Sequence, residues 1–227
     1  PTWTPGLEPP TVPMSWILLN RNGQRFMNEY PPYLQDTGHR PLDVFSPEHM
    51  AFAHLPAFAV VDDIGRQLYQ LGDPKLNDTQ LQPLHWSKDN LAEVEKGYLK
   101  KAEDIGALSR IIGCEKPCLE STLARWNEAC HNRIDQEFHR PPQTMVPLTT
   151  PPYFVGEVGP VVSNTQGGLA HDTNQRVLNP FGETIEGLYV TGELGGIWGH
   201  LYLGGGNLSE GLIGARIAAH HMAEQLQ

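Results

Sequence analysis

The chain has 227 residues, 39% hydrophobic and 19% charged, which is the make-up of an ordinary globular protein with room for one large domain or two small ones. A formal net charge of −10, with no cluster of Lys or Arg, excludes the basic surface that nucleic acid requires. No apolar run approaches the ~20 residues that cross a bilayer as a helix, so no transmembrane segment is expected.

The first residues, Pro1-Thr2, lack an initiating Met, so the chain reads as a piece of something longer, with the cytoplasm as its expected location. Ser15–Glu29 (SWILLNRNGQRFMNE) reads as a β-hairpin turning at Asn22-Gly23, a pair that tolerates positive φ. Tyr30-Pro31-Pro32-Tyr33 must then leave the sheet, because Pro cannot donate to the ladder. His54–Asp62 is apolar and β-branched and reads as a buried strand. Lys88–Leu99 and Ala102–Ile112 read as helices, the second ending at Gly113 in a C′ position. Leu119, Leu123, Trp126 and Cys130 recur on one helical face. Cys114, Cys118 and Cys130 give neither an even disulfide framework nor four thiolates for zinc; they read as small apolar residues, and no metal is expected.

Residues 141–152, with Pro141-Pro142 and Pro151-Pro152, read as a linker. The expected architecture is therefore α+β and two-part: a domain over 1–140, the linker, and a second part over 153–227. In the second part Tyr153–Val162 reads as a strand and Leu169–His171 with Arg176–Leu178 as a hairpin. Asn179–Gly182 reads as a turn and Gly187–Gly192 as a strand. A helix runs from about Asn207 to Leu226, with Leu208, Leu212, Ala215, Ala219, Met222 and Leu226 on the face expected to be its core side.

The segment that carries chemistry is Gly192–Ser209 (GELGGIWGHLYLGGGNLS). A strand enters a loop with three consecutive glycines, and the loop opens the long helix. Glycines let a ligand approach the backbone, and a helix start presents unpaired N–H groups to partial negative charge. By spacing alone the same segment also suits a tight strand-to-helix turn capped by Ser209.

Three runs in order, Asn164–Gly168 (NTQGG), Gly187–Glu193 (GLYVTGE) and Gly199–Asn207 (GHLYLGGGN), resemble the C-terminal flavin-binding half of the fumarate reductase/succinate dehydrogenase flavoprotein superfamily. Leu19–Glu29 (LNRNGQRFMNE) resembles the hairpin of that family's capping domain. The resemblance implies a capping domain followed by the later piece of an FAD domain, with a long C-terminal helix. The family's N-terminal Rossmann βαβ unit, which holds the adenosine, is absent from the sequence and would be a missing partner segment. FAD is the implied cofactor, held weakly or not at all by this piece alone. Glu193 is implied to contact the FAD linker, Asn207 and Leu208 to donate backbone N–H groups to the flavin, and Gly167, Gly168 and Gly205 to lie beside it.

Within the family, fumarate reductases hold a dicarboxylate with basic residues at positions that here are Tyr33, Asn164 and Tyr202. Without those charges a diacid loses partners that contribute about 1.5–3 kcal/mol each. GHLYLGGG instead resembles the 3-ketosteroid Δ1-dehydrogenase branch. That resemblance implies that the Tyr202 hydroxyl and the Gly206 N–H hold a ketone oxygen and that Tyr33 takes the α-proton. The expected function is FAD-dependent dehydrogenation, or the reverse reduction, of a C–C bond beside a carbonyl, with a small carbonyl or enone substrate. The alternatives are reduction of an unsaturated carboxylic acid and an inactive binding fragment.

Overall fold

The computed structural model describes residues 13–30, 40–72, 86–159, 165–197 and 205–225. They fall into two compact units, Pro1–Pro160 and Val161–Gln227.

In chain order the first unit holds β1 (Trp16–Asn20), β2 (Phe45–Ser46), β3 (Ala51–Phe52), β4 (Ala57–Asp62), α1 (Ala92–Glu95), β5 (Lys100–Ala102), α2 (Ile105–Ile112), α3 (Lys116–Asn132) and β6 (Tyr153–Val158). Four strands form an antiparallel sheet in the order β1-β4-β6-β5. Leu18 lies opposite Ala59, and Val60 opposite Val155. Strand side chains alternate between faces. Ile17, Leu19, Phe58, Val60, Tyr153 and Val155 thus share a core with Leu108 and Ile112 of α2 and Leu119, Leu123 and Trp126 of α3.

The expected hairpin forms only in part. Asn20 and Gln24 close its turn, with Gly23 at φ +73°, but Arg25–Glu29 does not continue as a strand. The reason is chemical. The Glu29 carboxylate accepts the Leu18 N–H at 3.2 Å, and the Arg140 guanidinium donates to the Trp16 carbonyl at 2.9 Å. Side chains thereby satisfy the edge of β1 that a second strand would have used. The strand partner of β1 is β4 instead.

Helix 88–99 shrinks to Ala92–Glu95, because Asn90 and Gly97 have φ of +61° and +80° and the Tyr98 and Leu99 N–H groups fold back onto the Glu93 carbonyl. α2 starts at Ile105 and not at Ala102, since Asp104 caps it by accepting the Ala107 N–H at 2.7 Å. Gly113 ends it at φ +83°, as its position suggested. Cys114 and Cys130 pack against the core, and burial pushes the Cys130 thiol up to about 12.

The division between the units falls after residue 160, later than the Pro-rich 141–152. β6 follows that stretch immediately and pairs with both β4 and β5, which ties it to the first unit.

The second unit comprises β7 (Arg176–Leu178), β8 (Thr184–Tyr189) and α4 (Gly206–Gln225), with β7 and β8 antiparallel. A His171–Val177 bridge and the Leu178 N–H to Ala170 carbonyl bond make the expected reversal over Asp172–Gln175. Asn179–Gly182 is a turn closed by the Gly182 N–H on the Asn179 carbonyl.

α4 corrects the expected core face. Leu208 and Leu212 are 76% and 78% exposed, whereas the buried stripe is Gly206, Glu210, Gly214 and Ala218. Close approach selects that stripe. A Cβ on Gly214 would lie 2.1 Å from Thr191 Oγ1, so only a residue without a side chain fits there. At Gly206, Gly214 and Ala218 smallness, not hydrophobicity, marks the inward face, with Glu210 buried between them.

Candidate functional site

Three segments of the second unit meet: the turn 165–168, the loop 191–197 and the start of α4. The first two are in backbone contact. Leu169 N–H donates to the Leu194 carbonyl at 2.8 Å, and a Cβ on Gly168 would lie 1.6 Å from that same oxygen. A side chain at 168 would force the turn and the loop apart. The Gln166 amide then reaches the α4 start, donating to Asn207 Oδ1 at 3.1 Å.

Glu193 sits in a 3-10 turn, Gly192–Leu194. Its carboxylate accepts the Thr165 backbone N–H and, at 2.9 Å, the Thr165 hydroxyl. Those two donors hold the Glu193 carboxyl below the ordinary carboxylate range. The loop packs on α4 through Gly192, where a Cβ would lie 3.4 Å from Gly211 Cα, and through the Thr191 hydroxyl, which donates to the Glu210 carbonyl at 2.8 Å.

α4 begins at Gly206, after Gly205 at φ +79°, a left-handed conformation that glycine adopts without strain. Ser209 lies inside the first turn, its N–H on the Gly205 carbonyl, so it is not the N-cap. The N–H groups of Gly206, Asn207 and Leu208 precede the first intrahelical bond and so have no partner within the helix. A Cβ on Gly167 or on Gly205 would meet nothing within 4 Å. Open backbone and a helix start fit a planar ring edged with carbonyls, which is the shape and polarity of a flavin.

The structure therefore brings Gly167, Gly168, Glu193, Gly205, Gly206, Asn207 and Leu208 into one small region. Tyr33 and Tyr202 lie outside the described residues, as does Asn164. Among the described residues there is no group of His, Cys, Asp and Glu that could hold a metal ion. No helix among them is long and apolar enough to cross a membrane.

Reading by residue missed a buried charge cluster in the first unit. Arg25 donates to Glu29 at 3.0 and 2.8 Å and to Asp135 at 3.0 Å, while Arg140 reaches Glu29 at 3.2 Å. Both guanidiniums lie over the Trp126 ring, 4.4 and 4.9 Å from its centroid. The i,i+4 spacing of Arg25 and Glu29 was a visible signal; Asp135 and Arg140, more than a hundred residues away, gave none. Also missed was a largely apolar cavity of about 310 Å³ on the sheet face away from the helices, with Trp16, Leu18, Ala59, Val61, Trp86 and Leu99 in its wall.

The family model described as an FAD binding domain matches residues 13–208, and the chain belongs to that family. FAD is the family's cofactor. The chain is 27% identical over 230 residues to the 3-oxosteroid 1-dehydrogenase of Mycobacterium tuberculosis, covering 92% of this chain and 38% of that one. It is 28% identical over 213 residues to the fumarate reductase (cytochrome) of Shewanella frigidimarina, covering 92% and 32%. Its fold matches the crystal structure of 3-ketosteroid delta1-dehydrogenase from Sterolibacterium denitrificans in complex with 1,4-androstadiene-3,17-dione. That match has a TM-score of 0.72 and 26% identity, and covers 95% of this chain and 39% of that one. The chain thus spans about two-fifths of the length of these dehydrogenases.

Proposed function

We propose that the protein carrying this chain is an FAD-dependent oxidoreductase that removes two hydrogens from a C–C bond beside a ketone, or adds them in reverse. The observation that carries this reading is the meeting of the three glycine-bearing segments, fixed by the Leu169–Leu194 and Gln166–Asn207 bonds. The similarity to two ketosteroid dehydrogenases over most of the chain supports it.

In this reading the Asn207 and Leu208 N–H groups donate to the flavin pyrimidine, and Gly167, Gly168 and Gly205 let the ring come close. Glu193, already held in its ionised form, faces the linker of the cofactor. FAD, when bound, supplies the hydride acceptor. The residues of the chain do the rest. The Tyr202 hydroxyl and the Gly206 N–H hold the ketone oxygen and stabilise the negative charge that develops there. Tyr33, as the phenolate, takes the proton from the α-carbon, while the hydride leaves the β-carbon, so a single C–C bond becomes double.

Reduction of an unsaturated carboxylic acid is the second reading, supported by the 28% identity to a fumarate reductase. It lacks support from the residues at 33, 164 and 202, none of which is basic. A panel of enones against enoates separates the two. The ketone reading is tested by Tyr202→Phe, expected to lower kcat/KM by about 10²–10³ while FAD binding is kept. Wild-type turnover in that variant would remove Tyr202 from the site, and loss of flavin would make it a structural residue.

A further inference from the structure

Behind the three segments, two buried polar side chains face each other with too few partners. His171 and Glu210 have side chains only 7% and 4% exposed, and His171 Nε2 is 3.9 Å from Glu210 Oε1. The other ring nitrogen, Nδ1, is 2.9 Å from the Asp172 carbonyl oxygen. A carbonyl only accepts, so Nδ1 carries the hydrogen. Nε2 is buried without a hydrogen-bond partner. Among the described residues the Glu210 carboxylate has a single donor, the Ile197 N–H, at 3.4 Å from each oxygen. Charged groups on the adjoining segments are engaged elsewhere. The Asp172 carboxylate takes the Arg176 side chain at 2.8 and 2.6 Å, and Glu193 takes Thr165.

With Nδ1 holding a neutral ring's only hydrogen, Nε2 is an acceptor facing a second acceptor 3.9 Å away. Nε2 lacks a donor and Glu210 has only the long Ile197 contact, so one additional proton on the pair turns two facing acceptors into an ion pair. We propose that His171 and Glu210 together hold one additional proton as a buried acid–base pair, in ion-pair contact at 3.9 Å, and that the pair positions the loop 192–197 for the flavin. The loop rests on the pair directly. A Cβ on Gly195 would lie 3.2 Å from Glu210 Oε1 and 3.3 Å from the His171 ring, and the next free N–H of the loop, at Ile197, ends on Glu210. The same loop supplies the Leu194 carbonyl that holds the 165–168 turn. His171 and Glu210 are therefore positioning residues. Only the link to the flavin rests on the function proposed above; the pairing itself stands on the second unit.

The test is a thermal-unfolding cycle on the chain with H171L, E210Q and the double variant. H171L strands a buried carboxylate and is expected to lower Tm by about 4–8 °C. E210Q alone stays near wild type, because its amide donates to Nε2 and still accepts from Ile197. The double variant regains most of the H171L loss, since no charge is left to strand. A double variant that loses the sum of the two singles would overturn the pairing. Should H171L not fold, ring ¹⁵N and side-chain ¹³C NMR of the wild type at pH 7 decides instead. The extra proton must appear on Nε2 or on the Glu210 carboxyl, and a neutral ring beside an ionised carboxylate refutes it. In the intact protein, H171L should weaken FAD binding about tenfold, with the double variant returning to within about threefold. FAD affinity unmoved in every variant would overturn the positioning role. Absence of FAD binding in all forms, wild type included, would overturn the flavin reading, while the melting cycle still decides the pair.

Discussion

The two units are held together by different means. The first has a core of large side chains, Trp126, Phe154, Leu108 and Leu119 among them, all under 2% exposed. The second contributes only Val177, Val190 and Ala218 to the buried apolar residues described. Its cohesion comes from backbone lying on backbone at Gly168 and Gly192, and from the Thr191 and Gln175 side chains packed against Gly214. A core of side chains specifies a shape through volume. Close-packed glycines specify distance. The comparison teaches that the unit carrying the candidate site trades apolar burial for close approach of chain segments.

The largest expected effect lies in the first unit. Arg140 bonds the Met14, Trp16 and Thr144 carbonyls as well as Glu29, all within a dry interior. Arg140→Leu would strand three acceptors and half of the Glu29 pairing. Breaking a buried pair by deleting one partner costs about 3–5 kcal/mol, so urea unfolding should show the first unit severely destabilised. A loss under about 1 kcal/mol would mean that the apolar core holds this unit without the charge cluster.

In the second unit the corresponding break is smaller in atoms. Gly168→Ala adds one methyl, placed 1.6 Å from the Leu194 oxygen, and the neighbour is backbone that cannot rotate away. Overpacking of this kind costs about 1–3 kcal/mol. The specific expectation is a change in site shape: weaker FAD binding in the intact protein, with the first unit's unfolding unaltered. Equal FAD affinity for wild type and variant would show that the spacing of turn and loop does not matter to the cofactor.

This contrast also explains what the sequence made legible. An apolar, β-branched run gave β4, expected over His54–Asp62 and observed over Ala57–Asp62, and a period-3.6 face of Leu119, Leu123 and Trp126 gave the buried side of α3, because in the first unit hydrophobicity does select the buried face. The same rule applied to α4 chose Leu208 and Leu212, which are exposed, because a glycine stripe carries no hydrophobic signal. Arg25–Glu29 read as a strand for a similar reason. A pattern cannot show that Glu29 and Arg140 occupy the edge of β1, since Arg140 arrives from a distant segment. In the candidate site the glycines and Glu193 could be singled out by motif, whereas the Gln166–Asn207 bridge and the His171–Glu210 contact arise only from folding.

Acid should sharpen the comparison from the charge-cluster side. Burial alone would push the Asp135 carboxyl up, but the hydrogen bond and charge of Arg25, with the Phe138 and Arg140 N–H groups, outweigh it and hold Asp135 below its ordinary range. A folded value below the unfolded one means that the stabilisation is complete above the unfolded value of about 3.9 and is lost as pH falls through the folded one. The gap in unfolding free energy between wild type and Asp135→Asn should therefore be constant near neutral pH and narrow below about pH 4. A gap that persists undiminished into acid would place the Asp135 contribution in something other than its charge.

The smallest expected effect tests the α4 reading most directly. If hydrophobicity chose the inward face, Leu212 would be core, and replacing it with a charged residue would cost at least the 2–5 kcal/mol of a buried Leu lost to Ala. With Leu212 78% exposed, Leu212→Lys should change the unfolding free energy of the chain by no more than about 0.5 kcal/mol, as for an ordinary surface position. The paired control is Gly214→Ala on the opposite face. There the new methyl would meet Thr191 Oγ1 at 2.1 Å and Gln175 Oε1 at 2.7 Å, so the conservative change should be the damaging one. Thr191 also donates to the Glu210 carbonyl, so displacing it disturbs the same loop that carries Glu193. A Leu212→Lys variant that unfolds, beside a Gly214→Ala variant that does not, would reverse the assignment of the two faces and with it the claim that close approach organises the second unit.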